Sequence, residues 1–245
     1  MAKREDNTQF DREQALFENR YDAGRQLAAK LGEYKGQSVI VLAIPNGGVP
    51  VALEVALAIQ ADLDLVISRK IPLPLNPEAG FGAVADDGTV ILNEEVLKRV
   101  SLSSHQINYQ INQVRAEIRQ RSLLYRENRP LAIVSGKTVI IIDDGLASGF
   151  TMRAAVESVR HRQPREVVVA VPVASATALE QVEKVADKVV ILARGTKPKF
   201  YIADFYRYWH DLSREEVLKC LREWRMRHFR ADVKPPGEKQ PGQQA

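Results

Sequence analysis

Val139-Ile140-Ile141-Ile142-Asp143-Asp144-Gly145-Leu146-Ala147-Ser148-Gly149-Phe150-Thr151 is the stretch from which the fold of this chain can be read. Four apolar residues stop abruptly at two carboxylates. A loop of small residues follows, then a helical pattern with Met152, Ala155, Val156 and Val159 on one face. A buried strand running into a helix delivers both acids to the strand's C-terminal end, beside the amide-rich start of the helix. In an open α/β sheet that edge is where ligands bind. The helix start favours an anion, and the carboxylates favour hydroxyls or a metal ion. A phosphorylated sugar meets both demands.

Working outward, Ser38 to Ile44 is a second apolar, β-branched run, broken by Pro45-Asn46-Gly47-Gly48. Val49 to Gln60 then predicts a buried helix and Leu63 to Ser68 another strand, a βαβ unit with parallel strands. The glycines after the first strand expose amides to a second anion. Arg69 and Lys70 add two cations at what should be the same sheet edge. Ile71 to Pro77, with three prolines, predicts an extended loop. Asp86-Asp87-Gly88 predicts a hairpin turn between 81–84 and 89–92. Val167 to Val173 and Lys188 to Leu192 are two more buried strands, with a helix near 177–186 between them.

The remaining segments are helical or irregular. A helix is predicted over 11–31, and a polar helix over 104–126 with Ile107, Ile111, Val114, Ile118 and Tyr125 as a narrow stripe. That stripe suits either a homodimer contact or packing onto its own domain. Ser213-Arg214-Glu215-Glu216 is a capping box opening a final helix. The tail over 232–245, rich in proline, glycine and glutamine, has the composition of a disordered segment.

Bulk properties narrow the class. The 245 residues are 45% hydrophobic and 27% charged, with a formal charge of +4, as for a globular protein with its own core. The N-terminus lacks the apolar segment of a signal peptide, and no run reaches membrane-spanning length, so a cytoplasmic protein without membrane contact is expected. The one cysteine, Cys220, rules out a disulfide framework. Nucleic acid is not the expected partner: Arg222, Arg225, Arg227 and Arg230 read as a solvated helix face. The loop 145–149 is neither a Walker A loop nor a nucleophile elbow.

Val139 to Thr151 also resembles the phosphoribosyl-diphosphate signature of type I phosphoribosyltransferases. Pro45-Asn46-Gly47-Gly48 looks like that family's pyrophosphate loop. Residues 17–28, Gly82-Ala83-Val84 and the helix carrying Glu215-Glu216-Val217 are similar to a bacterial branch of the family. The resemblance implies an α/β fold over residues 11–231: a doubly wound parallel sheet of about five strands with helices on both faces. It also implies a small hood from 11–35 and 195–212 and a mobile loop over 71–92.

The resemblance implies site roles as well. Ala147, Ser148, Gly149, Phe150 and Thr151 would hold the 5-phosphate of 5-phosphoribosyl 1-diphosphate. Asp143 and Asp144 would take the ribose hydroxyls, directly or through Mg²⁺. Asn46, Gly47, Gly48, Arg69 and Lys70 would hold the pyrophosphate, the two cations supporting its departure. A nitrogenous base would then displace pyrophosphate. Three positions depart from the pattern: Asn46 stands where this branch often has Arg, Ser148 replaces Thr, and Phe150 is bulkier than usual. The change at 46 leaves open a second function, a non-catalytic sensor of phosphoribosyl diphosphate or a nucleotide.

Overall fold

β-Branched residues fill the interior strands because both faces of the sheet are covered, which favours continuous apolar runs over alternation. In the computed structural model, which describes residues 3–5, 9–10, 15–127, 129–195 and 199–232, these runs form one parallel sheet. Its strands are β1 (Lys3–Glu5), β2 (Gln9–Phe10), β3 (Val39–Ala43), β4 (Asp62–Leu65), β8 (Thr138–Ile142), β9 (Glu166–Ser175) and β10 (Lys188–Gly195). The spatial order is β1-β10-β9-β8-β3-β4, with β2 also pairing with β10. The five longer strands are those anticipated from the apolar runs. The two short ones extend the β10 edge.

Successive residues point to opposite faces. Val41, Ala43, Ile140 and Ile142 pack under the face carrying α1 (Arg20–Lys30) and α2 (Gly48–Ile59). Ile40, Leu42, Val139 and Ile141 pack under α5 (Phe150–Arg160) and α6 (Ala176–Val182). The chain runs outward from β3 to β4, then returns to place β8 on the other side of β3. The order therefore reverses between β3 and β8, and the crevice outside the C-terminal ends of those two strands is where such sheets bind ligands.

Several boundaries differ from expectation. The run Leu63 to Ser68 splits, ending β4 at Leu65 and starting β5 (Ser68–Leu73) in a second sheet. This antiparallel sheet has the order β5-β6-β7, with β6 at Asn76–Ala85 and β7 at Val90–Leu92. The Asp86-Asp87-Gly88 hairpin is present, with Gly88 at φ 94°. The predicted loop over 71–77 is instead the tip of the β5–β6 hairpin. Its prolines are tolerated because the register shifts at Pro72. The short helix α3 (Glu94–Arg99) had no sequence expectation.

The helix predicted from residue 11 starts at Arg20, capped by Asn19, whose side chain accepts from the Asp22 amide. The preceding residues are drawn into extended pairing: the Leu16 and Phe17 amides donate to the Phe205 carbonyl, and the Tyr208 amide donates to that of Glu18. Residues 11–14 and the tail beyond Asp232 lie outside the described residues. Helix α4 (Ser104–Arg126) matches its predicted span, and Ile111, Val114, Ile118 and Tyr125 are buried within the chain's own core. Helix α7 (Arg214–Asp232) opens with the anticipated capping box: the Glu216 amide donates to Ser213 Oγ and the Ser213 amide to Glu216 Oε2.

Candidate functional site

A helix leaves its first amides without intrahelical partners, and a side-chain cap normally takes one of them. Among the described residues, five helices follow that rule. Asn19, Asn93, Ser103, Ser175 and Ser213 cap α1, α3, α4, α6 and α7. Helices α2 and α5 do not: their N-cap residues are Gly47 and Gly149, and neither has a side-chain cap. These two helices begin at the ends of β3 and β8, the strands flanking the crevice.

The two loops are pressed together there. A Cβ on Gly47 would lie 1.9 Å from Asp144 Oδ2, and one on Gly48 would lie 2.6 Å from the Ile142 carbonyl. Gly47 has φ −61°, so close approach rather than unusual backbone geometry demands glycine. The Pro45–Asn46 peptide is cis. The 145–149 loop is secured to β9. The Leu146 amide donates to the Val173 carbonyl, and Ser175 Oγ donates to the Ala147 carbonyl at 2.6 Å. Gly149 adopts φ 80° against the Ala178 carbonyl, a position that excludes other residues twice over.

The adjacent carboxylates face different surroundings. Asp143 lines a cavity of about 620 Å³ together with Pro45, Ser68, Arg69, Lys70 and Thr151. Its Oδ1 accepts from the Asp144 amide at 2.9 Å. Asp144 is buried and paired elsewhere: Arg20 Nε donates to its Oδ2 at 2.8 Å. Arg20 also donates to the His210 carbonyl and stacks on Trp209 at 3.7 Å, while the Tyr206 hydroxyl donates to the Asp144 carbonyl. Burial pushes the Asp143 carboxyl well above the ordinary range, and the neighbouring Asp144 charge pushes it further. Burial also raises Asp144, against the opposing pull of Arg20.

Arg69 and Lys70 reach the cavity from β5, in the antiparallel sheet, rather than from the parallel sheet edge. Arg69 lies 3.7 Å from Glu117 Oε2 on α4, and Lys70 Nζ donates to the Glu78 carbonyl. Burial lowers the Arg69 pKa, and the Arg121 guanidinium lowers it further. Ser68 Oγ sits 2.9 Å from the Thr151 carbonyl, tying the start of α5 to β5. Within the 147–151 loop, Ala147 and Ser148 are exposed. Phe150 packs against Ala83, Ala85 and Ala154, away from the loop's open side. Asn46 is held on three sides: its Oδ1 accepts from Arg121 Nη1 at 3.0 Å and from the Tyr125 hydroxyl at 2.8 Å, and its Nδ2 donates to the Leu212 carbonyl at 2.8 Å.

Comparison with known proteins matches this geometry to a family. The phosphoribosyl transferase domain model covers residues 14–200. The chain belongs to the phosphoribosyltransferase family. Among Mycobacterium tuberculosis proteins it is similar to "Putative phosphoribosyl transferase Rv0571c" and "Putative phosphoribosyl transferase MT0597", at 37% identity over 207 residues in each case. The match takes in 84% of this chain and 46% of each relative, so the chain spans about half the length of the curated relatives it matches. Among solved structures it resembles TT1426 from Thermus thermophilus, with 36% identity and a TM-score of 0.69. That match covers 85% of this chain and 98% of the other.

In this phosphoribosyltransferase domain, the sequence-predicted residues Arg69, Lys70, Asp143 and Thr151 share one cavity with Pro45, and Asp144 stands behind it. Sequence reading missed the residues that hold the candidate site from outside the cavity: Arg20 on Asp144, Ser175 on Ala147, and Arg121 and Tyr125 on Asn46. Of these, Arg121 carried a signal: it falls on the helical face of Val114, Ile118 and Tyr125, a cation within an apolar stripe. Among the described residues no group of three or more His, Cys, Asp or Glu side chains is arranged to hold a metal ion. Asp143, which lines the cavity with Glu78, Glu117 and Asp211, fits Mg²⁺ arriving with ligand oxygens, since that ion keeps waters and takes few protein carboxylates.

Proposed function

We propose that this domain binds 5-phosphoribosyl 1-diphosphate with Mg²⁺ and transfers the phosphoribosyl group to a nitrogenous base, releasing pyrophosphate. The pair of uncapped helix starts at the β3/β8 crevice carries this reading. Two glycine-started helix ends beside the Asp143 carboxylate suit a ligand with a phosphate at one end, a pyrophosphate at the other and hydroxyls between.

Each part has an assigned task. The amides of Ala147 to Thr151, with the Ser148 and Thr151 hydroxyls, hold the 5-phosphate. Asp143 accepts from the ribose hydroxyls, directly or through the metal. Asp144, committed to Arg20, keeps the strand end and hood in place rather than meeting the sugar. The Gly47 amide, Arg69 and Lys70 hold the pyrophosphate; the Gly48 amide donates to the Ile44 carbonyl at 3.1 Å, and its missing side chain leaves room for the loop. The C1–O bond breaks with its electron pair leaving on pyrophosphate, and a ring nitrogen of the base bonds to C1 and loses its proton. Bound Mg²⁺ would supply charge neutralisation to the leaving group. Fixed cations aimed at developing negative charge do the same without reorganising. The β5–β6 hairpin, lining the cavity through Pro72, Pro77 and Glu78, is the segment that would close over it. A cytoplasmic setting matches the phosphorylated substrate.

The test is incubation of the protein with 5-phosphoribosyl 1-diphosphate, Mg²⁺ and a panel of purine, pyrimidine and pyridine bases, measuring pyrophosphate. Release with at least one base, lost in Asp143→Asn, is expected. Tight ligand binding without release for any base would favour a second reading, a non-catalytic sensor. The Asn46 side chain supports it, since three of its four hydrogen-bonding positions are taken within the protein and one N–H is left for a leaving group.

A further inference from the structure

The cavity, lined by Arg69 and Lys70 among four carboxylates, shares Glu117 with a second cavity of about 310 Å³ that is lined by Arg121 and Arg214. The Arg69 and Arg121 charges act on one another, and only one carboxylate, Glu117, lies within ion-pair distance of either among the described residues, 3.7 Å from Arg69. Arg121 is half-buried yet has no carboxylate partner there. Its Nη1 is held by the neutral Asn46 carboxamide at 3.0 Å. Lys70 likewise donates to a carbonyl, not a carboxylate. A half-buried guanidinium without a carboxylate partner, as at Arg121, is favoured by a ligand that supplies the charge.

The Asn46 side chain is the means of holding Arg121. A carboxamide oxygen has two lone pairs, and here Arg121 and the Tyr125 hydroxyl take both. The amide nitrogen is anchored to the Leu212 carbonyl. Asn46 is therefore a knot between the β3 loop, α4 and the segment before α7, with little capacity left for a ligand. Its backbone lies in the loop that opens α2, so Arg121 is tied directly to that loop.

We propose that Arg121 is a third cation for the diphosphate end of the ligand, and that Asn46 is the positioning residue that aims it. This rests on the reading of the cavity given above and extends it to a residue outside both loops. The diphosphate would lie among Arg69, Lys70 and Arg121, and Glu117 would give up part of its hold on Arg69 when it binds. Arginine's fixed fork of donors suits such an anion better than lysine's single ammonium.

Calorimetric titration of the full chain with magnesium pyrophosphate, and separately with ribose 5-phosphate, tests the assignment. In Arg121→Gln, pyrophosphate affinity should fall about tenfold or more, while ribose 5-phosphate affinity stays at the wild-type value. Arg121→Lys should recover part of the loss. Asn46→Ala should weaken pyrophosphate in the same direction, and the Asn46→Ala/Arg121→Gln pair should be no weaker than Arg121→Gln alone. Wild-type pyrophosphate binding in both Arg121→Gln and Arg121→Lys, with loss in Arg69→Gln, would overturn the role of Arg121 and leave the cavity reading standing. Wild-type protein that binds neither probe would overturn the cavity reading and this assignment with it.

Discussion

Arg20 and Asp144 stand 124 positions apart in the chain and meet at 2.8 Å, Nε to Oδ2, both buried. The contact pins the start of α1 to the end of β8. The same guanidinium donates to the His210 carbonyl at 2.9 Å and lies over the Trp209 ring, so one side chain fastens the start of α1 and the segment around Trp209 to the strand end. Asp143, one residue earlier, is left facing the cavity.

Removing one member of a buried ion pair strands the other without compensation. Arg20→Ala should therefore destabilise the protein by about 3–5 kcal/mol. Urea unfolding followed by circular dichroism measures it. A loss below about 1 kcal/mol would mean that the pair behaves like an exposed one.

The Tyr206 hydroxyl donates to the Asp144 carbonyl at 2.6 Å. Tyr206→Phe keeps the ring contacts with Phe17 and Trp209 but leaves that carbonyl short of a donor. The expected cost is about 1–3 kcal/mol in the same unfolding measurement.

Gly47→Ala places a methyl group 1.9 Å from Asp144 Oδ2 and 2.5 Å from its Cγ, so the carboxylate or the loop must move. A loss of about 1–3 kcal/mol is expected, with weakened pyrophosphate binding. Gly32→Ala is the matched control. Nothing lies within 4 Å of a Cβ there, and its effect should stay within about 0.5 kcal/mol.

Asp143 titrates above the ordinary carboxyl range because its carboxyl is desolvated and lies beside Asp144. The folded chain therefore holds this proton at pH values where the unfolded chain has released it. Stability falls as pH rises from the usual aspartate value of about 3.9 towards the raised one. Asp143→Asn removes that share of the fall. Its unfolding free energy relative to wild type should improve across this window, and parallel stability–pH curves for the two proteins would contradict it. Ionisation of Asp143 should also strengthen binding of the Mg²⁺-bound ligand as pH rises, an effect lost in Asp143→Asn.

The sheet was legible because its strands are continuous apolar runs bounded by sharp polar or glycine signals. Val139 to Ile142 and Val167 to Val173 needed no context to be placed. The β5–β6 hairpin was not legible. Prolines normally count against paired strands, and only the register shift at Pro72 reconciles them. Helix α1 was overextended because Leu16 and Phe17 continue no clear break, yet backbone pairing with Phe205 to Tyr208 draws them out of the helix.

For this protein, the order of residues alone determined the ends of β3 and β8, the two glycine loops and the two acids. Those features depend on local chemistry: backbone conformation, chain reversal and the periodicity of apolar side chains. Tertiary structure alone decided that Asp143 faces the cavity while Asp144 faces Arg20. It also decided that Arg69 and Lys70 arrive on a separate sheet, and that Asn46 holds Arg121 from a helix 75 residues away. Charge partners are chosen by which segments the packed core brings within a few ångströms, and that choice is spread over the whole chain rather than written in any one stretch.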